Sequence, residues 1–320
     1  MPGSTATKCR QGDTAGVLPT VEIVITTRNR YAELRRALAS CVSQDYPALT
    51  ITVFDDRSDD GTVGMTKAEF PNVAVHVSED QVGYIALRNK AYSSTNASYI
   101  LSLDDDAWLT DRSTVSVLVD QMKQDPTVAA LAVPYLETTP AARKQLEKMP
   151  APGSELRSYV GTAHFSRVSA VLQLRGYRAL LVHQGEERDL SIRLRAAGWR
   201  VRLAAAPPIV HAVSTFRDRR RMYRYSVRNQ LLYDFFYTPW FAFPFIALRH
   251  VARLCIYCRS VEWAMRTIWY AFSAITDCWK YREYRSPLTL AAYRSHMLLP
   301  THGPQYVERS EFPPPCGLAP

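Results

Sequence analysis

No stretch of the 320-residue sequence is both apolar and unbroken over the roughly 20 residues that a membrane-spanning helix needs. The nearest candidate, Leu231–Leu248, carries Asp234 and is interrupted by Pro239 and Pro244, which excludes a clean spanning helix. Residues 1–20 hold no apolar run either, so the expectation is a chain without a secretory leader that opens on a flexible lead over residues 1–17. The signature loops of several enzyme classes are missing as well. There is no Gly-x-x-x-x-Gly-Lys, Gly-x-Gly-x-x-Gly, Gly-x-Ser-x-Gly or His-Glu-x-x-His. Six cysteines are scattered, and Cys255 and Cys258 stand at ligand spacing with no second pair to complete a tetrahedral site. Reduced thiols in a cytoplasmic protein are therefore expected. No internal repeat is visible.

What is present divides into two parts. With 47% hydrophobic and 22% charged residues the composition is that of a folded globular protein. The net charge of +9 is not spread evenly: Phe216 to Arg285 holds 13 basic and 5 acidic residues together with 19 of the 35 aromatic ones. In that region Arg249, Arg253, Arg259 and Arg266 recur among Leu254, Ile256, Trp263, Ile268 and Trp269. This mixture suits helices lying in a membrane interface, where each basic charge near an anionic leaflet contributes about 1 kcal/mol. The competing reading is an ordinary helical subdomain packed on the core, and the two are compatible. Stacking on nucleic acid bases is a third use of such residues, but it leaves the acids described next without a purpose.

The remainder alternates strand-like and helix-like segments, the pattern of an α/β fold. Strands are expected over Val21–Thr26, Leu49–Phe54, Val73–Val77, Tyr99–Leu103, Val128–Val133 and Tyr159–Phe165, the early ones parallel and buried on both faces. Helices are expected over Tyr31–Val42, Ile85–Ser94, Val115–Met122 and Leu190–Ala197, and a mobile loop over Pro134–Glu155. Polar groups close the strands: Thr26-Thr27-Arg28-Asn29, then Asp55-Asp56, then Asp104-Asp105-Asp106. In open α/β sheets the strand ends converge on the ligand crevice. Three adjacent carboxylates resist ionising together unless a cation offsets them, which points to Mg2+ or Mn2+ and, with it, a nucleoside diphosphate. The bland alternatives are solvated acidic or Asx-rich turns.

Four ordered motifs, Val-Ile-Thr-Thr-Arg-Asn-Arg from Val24, Val-Phe-Asp-Asp-Arg-Ser-Asp-Asp-Gly-Thr from Val53, Gly83 with Ala86-Leu87-Arg88-Asn89, and Leu-Asp-Asp-Asp from Leu103, resemble those of family 2 glycosyltransferases of the GT-A fold. The resemblance extends through Gly185-Glu186-Glu187-Arg188-Asp189 to about Asn229, roughly two thirds of the chain. It implies a Rossmann-like mixed sheet with a C-terminal helical extension, and inverting transfer of a sugar from a UDP- or dTDP-sugar to a hydroxyl of a lipid-linked or cell-surface glycan precursor. By position it implies that Thr26, Arg28 and Asp55 contact the base, with Asp55 accepting its N3 proton, a match for uracil or thymine. Arg88 falls at the diphosphate, Asp105 at the ribose, Asp106 at the metal, Asp104 at ribose or metal, and His211 where some members complete the metal's shell. For His211 a hydrogen-bonded core histidine is the equal alternative. Inverting transfer is a single displacement that needs a carboxylate base. The family's second acidic position is Glu187 here, with Glu186 as its neighbour, although this chain reads Glu-Glu where Glu-Asp is usual. An exposed acidic helix start is the plain alternative. Asp189 and Arg193 read as a helix-surface ion pair.

The expected organisation is a lead over 1–17, a catalytic domain over 18–215, basic aromatic membrane-associating helices over 216–300 and a Pro-rich tail over 301–320. The expected setting is the cytoplasm, peripherally on the inner face of the cell membrane, with no nucleic acid partner. A nucleotidyltransferase on a related fold and a non-catalytic basic module are the competing functions.

Overall fold

The computed structural model describes residues 18–139, 149–212, 218–258 and 260–308. The expected lead over 1–17, residues 140–148 of the Pro134–Glu155 loop and the end of the tail lie outside them. The chain opens β1 (Val21–Thr27), α1 (Tyr31–Val42), β2 (Leu49–Asp55), α2 (Thr62–Glu69), β3 (Ala74–Val77), α3 (Tyr84–Ser94), β4 (Tyr99–Asp104). It continues β5 (Ala107–Trp108), α4 (Thr114–Gln124), β6 (Val128–Ala132), β7 (Tyr135–Thr139), β8 (Ala163–Arg167), α5 (Val168–Gln173), α6 (Glu186–Ala196), β9 (Arg200–Leu203) and β10 (Ile209–His211). The last part is α7 (Arg219–Tyr237), α8 (Phe243–Tyr257), α9 (Val261–Lys280), α10 (Leu290–Leu298) and β11 (Gln305–Glu308).

Seven strands form the main sheet in the order β3-β2-β1-β4-β8-β6-β9. Strands β1 to β4 are parallel, and the central β1 and β4 are buried on both faces. Their register sets Thr27 beside Asp55 and Thr26 beside Asp104, so three polar strand ends share one edge. β8 runs antiparallel to both β4 and β6, which makes the sheet mixed. One face carries Ile23, Ile25, Leu34, Leu38, Leu101 and Leu118, packed under α1 and α4. The other carries Val24, Phe54, Leu87, Ile100, Leu190 and Phe236, under α3, α6 and α7. Leu34, Ala37, Leu38 and Cys41 of α1 are wholly buried, an i, i+3, i+4, i+7 stripe, while the apolar Tyr31 and Val42 at the helix ends are exposed.

Several expectations change. The strand expected from Tyr159 begins only at Ala163, because Gly161 and Thr162 form a loop whose carbonyls are used elsewhere. β3 is an edge strand and mostly exposed. The stretch expected to be a loop from Pro134 starts with β7, which joins β11, β10 and β5 in a second sheet of order β11-β7-β10-β5. β11 thus gives order to part of the segment read as a tail. The Asp189–Arg193 pair forms at 2.9 Å but is not on the surface: Asp189 is buried and also accepts from Arg178 (3.1 Å) and the Tyr237 hydroxyl (2.6 Å). It fastens α6 to α7.

The C-terminal helices are likewise divided in their roles. α7 belongs to the core through Leu232, Phe235, Phe236 and Tyr237, and it ends where Thr238, the residue before Pro239, turns to extended backbone. α9 presents Thr267, Ala271, Ala274 and Cys278 inward. Val261, Met265, Trp269, Phe272 and Trp279 of the same helix are more than half exposed, as are Phe245, Leu248 and Ile256 on α8. Among the described residues no helix is long and apolar enough to cross a membrane.

Candidate active site

The parallel strands deliver their carboxylates to one edge of the sheet. Asp55 ends β2 with no exposure; its Oδ1 accepts from the Ser58 N–H (2.7 Å), and its Oδ2 is buried without a hydrogen-bond partner among the described residues. That orphaned oxygen is a costly feature unless a ligand N–H meets it. Thr26 lies at the end of β1, and Arg28 stands exposed just beyond it. The hydroxyl that reaches the acidic triplet belongs instead to Thr27, which donates to Asp105 at 2.8 Å.

Asp104 ends β4, and the second sheet brings His211 to it. β10 pairs with β5 so that His211 is opposite Ala107, and with β7 so that it is opposite Glu137. His211 Nε2 is 3.3 Å from Asp106, and Nδ1 is 3.5 Å from Glu137. Burial works against its imidazolium, but the carboxylates of Asp106 and Glu137 outweigh burial and raise it to about 9. Burial raises Asp104, against the pull of Arg88. Burial, with Asp106 beside it, raises Asp105 to about 8. The cluster is short of positive charge. One ligand atom from each of Asp104, Asp106 and His211 lies within 4.8 Å of the others, and oxygen with imidazole suits Mn2+ or Mg2+. The residues present fit a divalent ion, and His211 is part of the group.

Arg88 connects this cluster to the candidate base. It projects from α3 at 3% exposure, with Nη2 2.8 Å from Asp104 and 3.0 Å from the Gly161 carbonyl. Its Nη1 lies 3.5 Å from Glu186 and 3.6 Å from Glu187, and the Tyr84 ring covers the guanidinium with 5.0 Å to the centroid. Glu186 and Glu187 are the first residues of α6. The helix start is real, but it is not exposed: Glu186 is fully enclosed and Glu187 is 15% exposed. Burial, and after it the Glu186 carboxylate, raises Glu187 well above the ordinary range, with Arg88 pulling the other way. A carboxylate so placed has gained basicity, which proton abstraction needs.

Sequence reasoning missed Gly161, Glu137, Tyr84 and Thr27. A Cβ at Gly161 would run into Glu187 Oε1 and stand 3.2 Å from Arg88 Nη1, so a side chain there is incompatible with this arrangement. Gly161, Glu137 and Tyr84 sit in none of the quoted motifs. Thr27 stands in the first motif, beside Thr26, and only its contact with Asp105 went unforeseen.

Residues 22–176 match the family model of Glycosyl transferase family 2. Over 116 residues the chain is 31% identical to Beta-1,4 N-acetylgalactosaminyltransferase 1 of Mus musculus, a match covering 36% of this chain and 21% of that protein. The match thus takes in about a fifth of the relative's length. Among solved structures, S. aureus TarS 1-349 in complex with UDP-GlcNAc superposes with a TM-score of 0.61 at 14% identity, covering 81% of this chain and 80% of that one. The mannosyltransferase PcManGT from Pyrobaculum calidifontis, in complex with GDP-Man and Mn2+, gives 0.52 at 16% identity, covering 88% and 79%. The fold is GT-A, as the strand-end motifs imply.

Proposed function

We propose that this chain, whose residues 22–176 make up a glycosyl transferase family 2 domain, is a metal-assisted inverting glycosyltransferase using a UDP- or dTDP-sugar. The observation that carries the reading is Arg88, which is shared between Asp104 of the Asp104–Asp106–His211 group and the Glu186–Glu187 pair. Donor chemistry and acceptor chemistry meet on one side chain.

In this reading the unpartnered Asp55 Oδ2 accepts the N3–H of uracil or thymine, with Thr26 and Arg28 beside the base and Asp105 at the ribose. Asp104, Asp106 and His211 hold the divalent ion, which when bound offsets charge on the departing nucleoside diphosphate. Arg88 keeps a guanidinium at the same junction and fixes the direction of Glu187. As the acceptor oxygen bonds to the anomeric carbon, the bond to the diphosphate oxygen breaks and Glu187 takes the acceptor's proton. Glu186, which is nearer to Arg88, orients its neighbour.

The acceptor is a glycan or lipid-linked precursor presented at a membrane. Supporting this, the exposed Phe245, Ile256, Met265, Trp269, Phe272 and Trp279 on α8 and α9 lie in the segment that carries the positive charge. A second copy would set like charges together, whereas an anionic leaflet complements both features.

Titration calorimetry of UDP, dTDP, GDP and CDP, with and without Mn2+, on wild type and Asp106→Ala tests the donor site. Metal-dependent binding of UDP or dTDP that the substitution abolishes is expected. Folded protein that binds no nucleotide would overturn the reading in favour of a non-catalytic module.

A further inference from the structure

The turn that leads into α6 carries an unusual backbone. Val182, Gln184 and Gly185 have φ of 60°, 71° and 87°. Glycine adopts such values freely, but a β-branched residue does so only where its surroundings enforce it. What surrounds this turn is α7. The two Nδ2 hydrogens of the Asn229 side-chain amide are shared among the carbonyls of Leu181 (2.8 Å), His183 (2.9 Å) and Gln184 (2.6 Å). Its orientation is fixed from the other side, because Arg228 Nη1 donates to Asn229 Oδ1 at 2.8 Å and to the Leu180 carbonyl at 3.0 Å. Asn229 is 4% exposed, and its Cβ would lie 3.7 Å from a Cβ at Gly185. Opposite α7, the Gln184 N–H donates to the Tyr84 hydroxyl at 3.1 Å, the same ring that covers Arg88.

Glu186 and Glu187 follow this turn with no intervening residue, and the Asp189 N–H closes the first helical bond onto the Gly185 carbonyl at 3.0 Å. Where the turn goes, both carboxylates go. We infer that Asn229 is a positioning residue for transfer: it holds the 181–185 turn in its strained form and so sets where Glu187 meets the acceptor hydroxyl. This rests on the transferase reading. It also gives the C-terminal helices a catalytic duty, since Arg228 is bonded in turn to Asp277 of α9 at 2.6 Å.

The test uses the full chain with Asn229→Ala and Asn229→Asp, the latter equal in size but without donor hydrogens. Donor hydrolysis or transfer gives kcat and KM, and calorimetry gives UDP affinity in Mn2+. Displacing a reacting group by about 1 Å costs on the order of 100-fold. The expected result is a kcat lower by roughly 10- to 100-fold, with UDP affinity and donor KM within about twofold, because no metal ligand lies on this turn. Wild-type kcat in a folded variant overturns the inference, and so does a fall in UDP affinity that matches the fall in kcat. If Asn229→Ala and Asn229→Asp both fail to fold, Asn229→Ser keeps one donor, and an intermediate kcat is expected; a wild-type value overturns the proposal. Amide exchange separates this inference from the reading it rests on. Faster exchange over 186–189 with unchanged exchange over 104–106 is expected whether or not a donor is turned over, and unchanged exchange at 186–189 overturns the clamp. A wild-type chain that binds no nucleotide removes the transferase reading instead.

Discussion

Arg88 Nη2 lies 2.8 Å from Asp104 Oδ1, an ion pair between a helix and a strand end in which the arginine is almost wholly buried. The same guanidinium faces Glu186 and Glu187, so one cation is balanced against three carboxylates. Breaking a buried pair by deleting one partner costs about 3–5 kcal/mol, since the remaining charge stays buried without compensation. Arg88→Ala is therefore expected to lower the melting temperature and abolish transfer. Arg88→Lys retains the charge but loses the fork, and its loss of kcat is expected to exceed its loss of stability. Thermal melts beside kinetics on both variants check this.

Gly161→Ala separates geometry from folding. The added methyl meets Glu187 Oε1 and crowds Arg88 Nη1, both at the free ends of long side chains, and Gly161 has no positive φ to lose. Stability should change by under about 1 kcal/mol, while kcat falls at least roughly tenfold through displacement of the base. Wild-type kcat in this variant would place the working carboxylate elsewhere.

Glu187 is raised by burial and by Glu186, and a carboxyl group can accept a proton only when ionised. Protonation on the acid side removes it, so activity should rise with pH through a limb well above the ordinary carboxylate range of about 4. Glu187→Gln should abolish transfer and leave UDP binding intact. A pH profile of kcat/KM checks the sign, and a limb near 4 would contradict it.

Glu137 stands behind His211, 3.5 Å from Nδ1, and fixes which ring nitrogen faces Asp106. Loss of such an outer carboxylate costs about 10- to 100-fold in metal affinity. Glu137→Gln should raise the Mn2+ concentration needed for half-maximal UDP binding by a factor in that range. Chelation with EDTA should remove the binding altogether, as calorimetry would show.

Trp269 and Phe272 are exposed on the outer face of α9, away from Ala271 and Ala274. Replacing both with Asp removes apolar area and adds like charge towards an anionic surface. Co-sedimentation with vesicles containing anionic lipid should be lost, while hydrolysis of a soluble donor is retained. Undiminished sedimentation would assign membrane contact to another surface.

Much of the candidate site was legible because strand ends carry it. Thr26, Asp55 and Asp104 follow apolar runs directly, and parallel pairing must bring such ends to one edge. The burial of Glu186 was not legible, since a carboxylate in a first helical turn reads the same whether exposed or enclosed. The Asp189–Arg193 pair shows the same limit: its spacing foretold the bond, and only packing against Tyr237 made it interior.

The sequence by itself determined the α/β alternation, the ordered motifs and the acidic strand ends, because these depend on local periodicity and on residues close along the chain. It also showed that basic and aromatic residues concentrate between Phe216 and Arg285, since these are counted without a fold. Tertiary structure decided what depends on distant segments meeting. The antiparallel insertion of β8 brings the Gly161 carbonyl to Arg88, and the second sheet carries His211 to Asp106 and Glu137. α7 sets Asn229 under the turn before Glu186. Each of these contacts joins residues separated by tens of positions, and long-range packing rather than any local pattern fixes their distances.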